Sequence, residues 1–213
     1  MKSHRIFGIA ALFITAIILV ACSSTSTTPS GTQAQASIEK KEPALYTGKS
    51  CLSQMAGVAA RWQADALPVH MESSLNTESS GQEGKSTVWR AIFASASRGT
   101  NRTFICSGSR LKEEPALGVT GNAEIASAPQ ISRSMFQSFL LTVDSDKAYA
   151  VAKEHGGDAL LKKDPNQPVV YTLDWDSKNR ELVWGIIFGT SAKDSKGVAV
   201  VDASNGRFLR AGK

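Results

Sequence analysis

The chain has 213 residues, is 42% hydrophobic and carries a formal net charge of +5 at pH 7, from 24 Lys and Arg against 19 Asp and Glu. Loss of an N-terminal segment containing Lys2 and Arg5 would lower that charge to +3, which is too small an excess to indicate a nucleic-acid partner. The length permits one ordinary domain or two small ones.

Residues 1–21 are organised as a signal peptide. Lys2 and Arg5 precede an uncharged apolar run from Ile6 to Val20. This run is shorter than the roughly 20 residues that cross a bilayer, but it is typical of the apolar part of a signal peptide. We therefore predict that this segment is removed. An uncleaved anchor and cleavage at a neighbouring bond remain as alternatives.

The end of the run, Leu19-Val20-Ala21-Cys22, resembles the lipobox of bacterial lipoproteins. The resemblance implies that Cys22 becomes the first residue and is acylated, with palmitate among its acyl chains. Two or three chains give stable attachment, whereas one is marginal. Ser23 after the cysteine favours the outer membrane by the same resemblance. We expect a lipid-anchored protein on the periplasmic face of that membrane.

Residues 22–44 are predicted to form a flexible tether. Ser, Thr and Gln dominate this stretch, and it shows no apolar periodicity. A segment of this composition does not bury enough apolar surface to fold. Its reach as a random coil is on the order of 25 Å, enough to hold a folded part away from the membrane.

Two stretches of the remaining chain recur. VAKEHGGDAL (151–160) shares features with VAARWQADAL (58–67), and LVWGIIFGT (182–190) shares features with TVWRAIFAS (87–95). The copies are 93 residues apart in the first pair and 95 in the second, so a two-residue length difference is expected in the loop between them. Recurrence in the same order indicates duplicated structural units.

The pattern predicts an α+β fold of two tandem units, 45–109 and 135–213, joined by a linker at 110–134. Each unit is a helix packed on a small antiparallel sheet, with the helix followed by a three-stranded meander. In the first unit the elements are a helix from about 48 to 61 and strands at 67–75, 87–95 and 102–108. In the second they are a strand at 135–144, a helix capped by Ser145 or Asp144 and closed by Gly156-Gly157, and strands at 167–176, 181–190 and 198–203.

Strand alternation assigns two faces to the recurring motif. The aromatic face is expected to pack on the helix of its unit and carries Trp89, Ala91 and Phe93 in one copy and Trp184, Ile186 and Phe188 in the other. The opposite face is built from small and branched residues, so the other unit could cover it. There Arg90 of the first copy corresponds to Gly185 of the second, so any functional divergence between the copies is expected at this position.

The sequence AYAVAKEHGG…VWGIIFG…KGVAVVDASNGRFL resembles a PepSY-type domain over about 145–210. The resemblance is carried by Trp184, by Val201-Asp202-Ala203, and by Gly206 and Phe208. The first unit matches only in outline, because its last strand ends in Cys106-Ser107-Gly108. The resemblance implies an extracytoplasmic interaction module, in some relatives one that inhibits a peptidase, and it implies no catalytic residues.

Cys51 and Cys106 remain once Cys22 is lipidated. In an oxidising envelope such a pair most simply forms a disulfide, which would contribute about 4 kcal/mol by closing a loop of some 55 residues. The alternatives are two free buried thiols, or a reactive thiolate at Cys51 with His70 as its only candidate base.

No other residues indicate chemistry. His70 and His155 have no metal-ligand spacing, and Asp174 and Asp176 are expected to be solvated acids where a strand meets a turn. We therefore predict no catalytic residue, no metal and no cofactor. The expected function is a non-catalytic binding module for an envelope protein or peptide. The alternative is a structural scaffold subunit of an envelope assembly.

Overall fold

The computed structural model describes residues 42–212, so the predicted signal peptide, Cys22 and most of the predicted tether lie outside the described residues. The helices of this part are α1 (Gly48–Trp62), α2 (Ser145–Ala152) and α3 (Asp158–Lys163). The strands are β1 (Tyr46–Thr47), β2 (Leu67–Ser74), β3 (Lys85–Ser86), β4 (Val88–Ser95), β5 (Thr100–Ser107), β6 (Gly118–Gly121), β7 (Ile125–Ala126), β8 (Val169–Asp176), β9 (Glu181–Gly189), β10 (Ser195–Asp202) and β11 (Phe208–Gly212). Helices and antiparallel strands together confirm the α+β class.

One antiparallel sheet dominates the fold. Its strand order is β11-β10-β9-β8-β2-β4-β5-β6, with β7 also paired to β5, while β1 and β3 form a separate ribbon. The two expected meanders are therefore present as β2-β4-β5 and β8-β9-β10. The sequence left open whether the sheets of the two units merge; they do, because β2 pairs with β8 and joins the two meanders. This pairing satisfies backbone groups that two separate sheets would leave exposed at their edges.

The two helices match each other at a different spacing from the one that the sequence suggested. The buried positions of α1 include Gly48, Cys51, Leu52 and Met55, and those of α2 are Ser145, Ala148, Tyr149 and Ala152, which are 97 residues later. The sequence match at 93 residues is thus shifted by about one helical turn. Such a shift keeps the same apolar stripe, so the residue pattern alone does not detect it.

The loop lengths also differ from the expectation. Pro68-Val69 in β2 and Pro168-Val169 before and in β8 are 100 residues apart, whereas Trp89 and Trp184 are 95 apart. The second half is therefore longer between helix and first strand, where α3 lies, and shorter in the following hairpin. The predicted single two-residue lengthening is wrong: measured from the equivalent helix positions, the second half gains three residues before its first strand and loses five in the hairpin, so it is two residues shorter overall.

Three local predictions need correction. The second helix does not end at Gly156-Gly157: an irregular π-helical turn, Lys153–Gly157, leads into α3, with Gly156 at φ +116°. Residues 135–144 contain a 3₁₀ turn, Ser138–Leu140, where a strand was predicted. The amides of Thr142 and Val143 both donate to the carbonyl of Ala203, which fixes this bend. The predicted linker 110–134 contains β6 and β7, which pair with β5.

The aromatic face of the sheet packs against α1 and α2, as predicted. Trp89 and Trp184 are fully buried, and their ring centroids are 6.2 Å apart. Each indole donates from Nε1 to a carbonyl two residues before a helix, Trp89 to Tyr46 and Trp184 to Val143, both at 2.9 Å. These bonds satisfy the buried N–H groups and position both helix N-termini over the centre of the sheet.

The N-termini of α1 and α2 contact each other there. The amide of Gly48 donates to Ser145 Oγ at 2.8 Å, and the amide of Lys49 donates to Asp144 Oδ1 at 2.8 Å. Asp144 also accepts from the amide of Ser145 at 2.7 Å, which confirms its predicted capping position. A single carboxylate therefore caps two helices, which both the free amides and the helix dipoles favour.

Candidate functional site

The Cys51–Cys106 disulfide that the sequence predicted is present, with Cα atoms 5.6 Å apart. Both cysteines are fully buried on the helix side of the sheet and belong to the main hydrophobic core. His70 faces the opposite side, since its neighbour Met71 is the core-facing residue of β2. The structure therefore does not bring Cys51 and His70 together as a thiolate and its base.

The face of the sheet opposite α1 and α2 carries the candidate site. The other unit does not cover this face, because the β2–β8 pairing places both meanders side by side with the same faces exposed. Two adjoining clefts of about 340 and 500 Å³ lie on it, and Thr172, Ile187 and Ala192 line both of them. We call this combined surface the open-face cleft.

Branched aliphatic side chains form the floor of the open-face cleft. Val183 and Ile187 are 8% and 7% exposed, and they stand on either side of Gly185 in β9. Val198 and Val200 of β10 continue the apolar surface toward the edge of the sheet. The β9–β10 turn closes one end through Ala192. The floor is thus apolar, and the polar groups are confined to the rim, as is typical of a binding surface.

A single row of paired residues crosses the whole open face. Reading outward from the centre of the sheet in the first half, it consists of Glu72, Arg90, Ile105 and Thr120. Reading outward in the second half, it consists of Thr172, Gly185, Val200 and Arg210. Glu72 and Thr172 pair with each other at the centre. The two halves of the row are equivalent in position and differ in chemistry.

Gly185 keeps the second half of this row open. A Cβ atom at Gly185 would lie 2.6 Å from Thr172 Oγ1, closer than real Cβ atoms approach a neighbour. In the first half Arg90 occupies the corresponding position and donates from Nε to Ser74 Oγ at 3.1 Å. At this position the first half of the face therefore carries a long side chain and the second half carries none; we call them the filled half and the open half.

A charged cluster borders the open-face cleft where β2 and β8 meet. His70 Nδ1 lies 2.6 Å from Asp174 Oδ1, and His70 Nε2 lies 3.7 Å from Glu72 Oε2. The hydrogen bond to Asp174, followed by the nearby carboxylate of Glu72, raises the pKa of His70 to about 9, although burial acts in the opposite direction. The proximity of His70 lowers the pKa of Glu72, with a smaller contribution from Arg90. This imidazolium therefore balances two carboxylates across the strand pair.

The outer end of the cleft carries Asp176 and Arg210. Asp176 accepts from the amides of Lys178 and Asn179 at 3.0 and 3.1 Å and from Asn179 Nδ2 at 2.9 Å. The amide of Asn179 is the main reason that the pKa of Asp176 is lowered. Arg210 Nη1 is 3.8 Å from Asp176 Oδ2, beyond hydrogen-bonding distance, and its side chain is 54% exposed.

The remaining candidates from the sequence, His155 and Asp176, have structural roles. His155 lies in the irregular turn after α2, stacks on Phe208 with ring centroids 4.0 Å apart, and has Nδ1 3.0 Å from the carbonyl of Val151. Asp176 organises the β8–β9 turn, as expected of an acid at that junction. Within residues 42–212, no group of three or more His, Cys, Asp or Glu side chains is arranged to hold a metal ion. In the same range no helix is long and apolar enough to span a membrane.

The sequence reasoning missed most of the cleft. The ion pair of His70 with Asp174 depends on pairing between strands about a hundred residues apart, and no local sequence pattern predicts that contact. The Pro-Val dipeptide shared by 68–69 and 168–169 was the signal that could have aligned β2 with β8. From that alignment Glu72, Thr172, Arg90 and Gly185 would have fallen in one row.

Comparison with known proteins yields little for this chain. No protein-family model matches it, and no curated protein shows significant similarity. Among solved structures, it is similar to the crystal structure of a protein from Clostridium difficile 630 described as a "putative lipoprotein". The two chains are 13% identical, with a TM-score of 0.44 over 76% of this chain and 91% of the other.

Proposed function

We propose that this protein is a lipid-anchored lipoprotein of the outer membrane that acts as a non-catalytic binding module for an envelope protein or peptide. The observation that carries the proposal is the open-face cleft, in which an apolar floor around Gly185 is rimmed by polar side chains. An apolar concave surface with a few convergent polar groups is the usual form of a binding site.

The folded part is proposed to consist of two PepSY-like units that arose by duplication. In support of this, equivalent indole hydrogen bonds link Trp89 to Tyr46 and Trp184 to Val143, and both pairs of residues keep their order along the chain. The row from Thr120 to Arg210 has matching positions in its two halves. The apolar floor of the cleft around Gly185 would then belong to the second unit, while β2 of the first unit contributes Glu72 and Ser74 to its rim.

The anchor is proposed to be Cys22, the cysteine of the lipobox. Growth with an alkyne-labelled palmitate, followed by gel analysis, tests this directly. We expect the wild-type chain to incorporate the label and to float with outer-membrane fractions, and Cys22→Ala to do neither. Equal labelling of the two chains would exclude acylation at this position.

Capture experiments on intact envelopes test the binding function. The chain would be cross-linked in cells, purified through a tag and compared with two variants of the same chemical kind. Val200→Arg places a cation on the cleft floor, and Thr103→Arg places one on the same face of the filled half, where Thr103 pairs with Ile92. Both positions are partly exposed strand residues, so both variants are expected to fold.

We expect the captured partner to be lost with Val200→Arg and retained with Thr103→Arg. Circular dichroism of each purified variant verifies that the fold is intact. A partner retained equally by both variants would contradict binding through the cleft. If that partner also forms a stable stoichiometric complex, the result would favour the scaffold role instead.

A further inference from the structure

The charges around the open-face cleft indicate what kind of ligand it accepts. Three carboxylates line it or border it, those of Glu72, Asp174 and Asp176. Each has partners within the protein. Glu72 and Asp174 share the imidazolium of His70, and Asp176 accepts three hydrogen bonds from the turn that follows it. All three carboxylates therefore have partners within the protein, those of Asp176 being the neutral N–H groups of the turn and, at 3.8 Å, the guanidinium of Arg210.

Arg210, unlike Asp174 and Asp176, makes no side-chain hydrogen bond to the described residues. It lies at the outer end of the row, paired with Val200 across β10 and β11. Its one ion-pair contact within residues 42–212 is the 3.8 Å approach to Asp176, whose hydrogen bonds come from other groups. A guanidinium has five N–H donors and matches a carboxylate in a two-pronged geometry. Arg210 thus presents donors to the cleft that the described residues leave available.

The geometry of the row gives the spacing between the apolar floor at Gly185 and the guanidinium-bearing residue Arg210. Thr172, Gly185, Val200 and Arg210 occupy four successive strands, from β8 to β11. Neighbouring strands lie about 4.8 Å apart, so Arg210 stands about 10 Å from Gly185. An extended polypeptide covers that distance in about three residues, at roughly 3.3 Å each. A segment of about three extended residues therefore matches the backbone spacing between Gly185 and Arg210.

We infer that the occupant of the cleft is an extended segment of another polypeptide that places an aliphatic side chain over Gly185 and a carboxylate against Arg210. The apolar floor accounts for the first contact and the available guanidinium for the second. This inference rests on the proposed binding function and adds to it the chemistry of the ligand. The acidic group is expected two to four positions from the aliphatic one along an extended chain.

The filled half of the face explains why there is one such site. At the equivalent positions, Arg90 occupies the place of Gly185 and Thr120 the place of Arg210. The cation there lies over the centre of the row beside Glu72, and the outer end has no charge. Neither the aliphatic subsite nor the carboxylate subsite is therefore formed in the first half.

Selection from a phage-displayed library of random dodecapeptides tests the inference, with the purified lipidated chain in detergent as the bait. We expect enriched peptides to combine Val, Ile or Leu with Asp or Glu at the stated spacing. Synthetic copies would then be titrated by fluorescence anisotropy against wild type, Arg210→Glu, Val200→Arg and Thr103→Arg. Charge reversal at Arg210 should weaken binding about tenfold or more, and Val200→Arg should abolish it. Thr103→Arg should leave binding unchanged.

A charge swap provides the decisive control. Replacing the acidic residue of a selected peptide by Lys should weaken its binding to wild type and restore its binding to Arg210→Glu. The inference is overturned if selected peptides show no acidic preference, if the swap restores nothing, or if wild type enriches no peptide over Val200→Arg. Loss of the envelope partner with Val200→Arg, combined with any of these results, would leave the binding function standing and remove only the inferred ligand chemistry.

Discussion

The pH dependence of stability is the most direct test of the charged cluster beside the cleft. The pKa of His70 is raised to about 9, foremost by its hydrogen bond to Asp174 and then by the nearby carboxylate of Glu72. The ordinary value near 6.5 applies to the unfolded chain. Because the folded state binds the proton more tightly, the contribution of His70 to stability is fully present below about pH 6.5. It is lost as the pH rises through about 9.

The expected magnitude follows from the environment of the ring. A change in pKa from 6.5 to about 9 would correspond to about 3 kcal/mol if the ring were shielded from water. The side chain of His70 is 30% exposed, and those of Asp174 and Glu72 are 45% and 49% exposed. Solvent screening lowers the value for such a pair. We therefore expect the free energy of unfolding to fall by about 1–2 kcal/mol between pH 6.5 and pH 9.5 on this account.

Urea denaturation followed by circular dichroism at one-unit pH intervals measures this change. His70→Gln, which cannot be protonated, should flatten the dependence between pH 6.5 and 9.5, and Asp174→Asn should reduce it. His155→Gln is the matched control, since His155 stacks on Phe208 and bonds to a carbonyl instead of a carboxylate. This control should keep the wild-type slope. Parallel curves for wild type and His70→Gln would refute the reasoning.

Two further predictions concern the core. Replacing Cys51 and Cys106 together by Ala opens a loop that joins residues 55 positions apart. It should lower the free energy of unfolding by about 4 kcal/mol in the chain-entropy model, and two free thiols in non-reducing mass analysis of the wild type would contradict the premise. Gly48→Ala should cost about 1–3 kcal/mol by overpacking, because its Cβ would lie 2.5 Å from Cη2 of Trp184. In the same helix, Gly57→Ala meets nothing within 4 Å and should stabilise by about 0.5–1 kcal/mol; equal effects at the two glycines in urea titrations would refute the packing argument.

The sequence predicted the parts of the fold that depend on local periodicity. The aromatic face of β4 and β9 follows from strand alternation, and it is buried as that pattern predicts. The disulfide followed from the number of cysteines and their expected compartment. These features need only a short window of sequence, or a count of residues, to be recognised.

What the sequence did not predict depends on contacts between distant residues. Three paired positions of β2 and β8 join the meanders. The residue pattern of either strand fits an edge strand as well as a central one, so neither pattern predicts this pairing. The sequence predicted a strand across the run MFQSFLLTVD (135–144), but a bend at Ser138–Leu140 interrupts it, with Phe136 and Leu141 buried on either side. Phe139 between them is 75% exposed, and hydropathy alone does not distinguish it from its neighbours.

The joining of the two meanders also determines where a ligand could be recognised. If each meander had its own sheet, the open faces of the two halves could pack on each other, and Arg90 would stand opposite Gly185. Because β2 pairs with β8, both faces remain on one surface, and the filled half lies beside the open one. Arg90 then helps to neutralise Glu72 at the centre, which leaves Arg210 at the rim as the cation directed toward a ligand. Arg90, which corresponds to Gly185 of the second copy, thus changes where positive charge lies along the row.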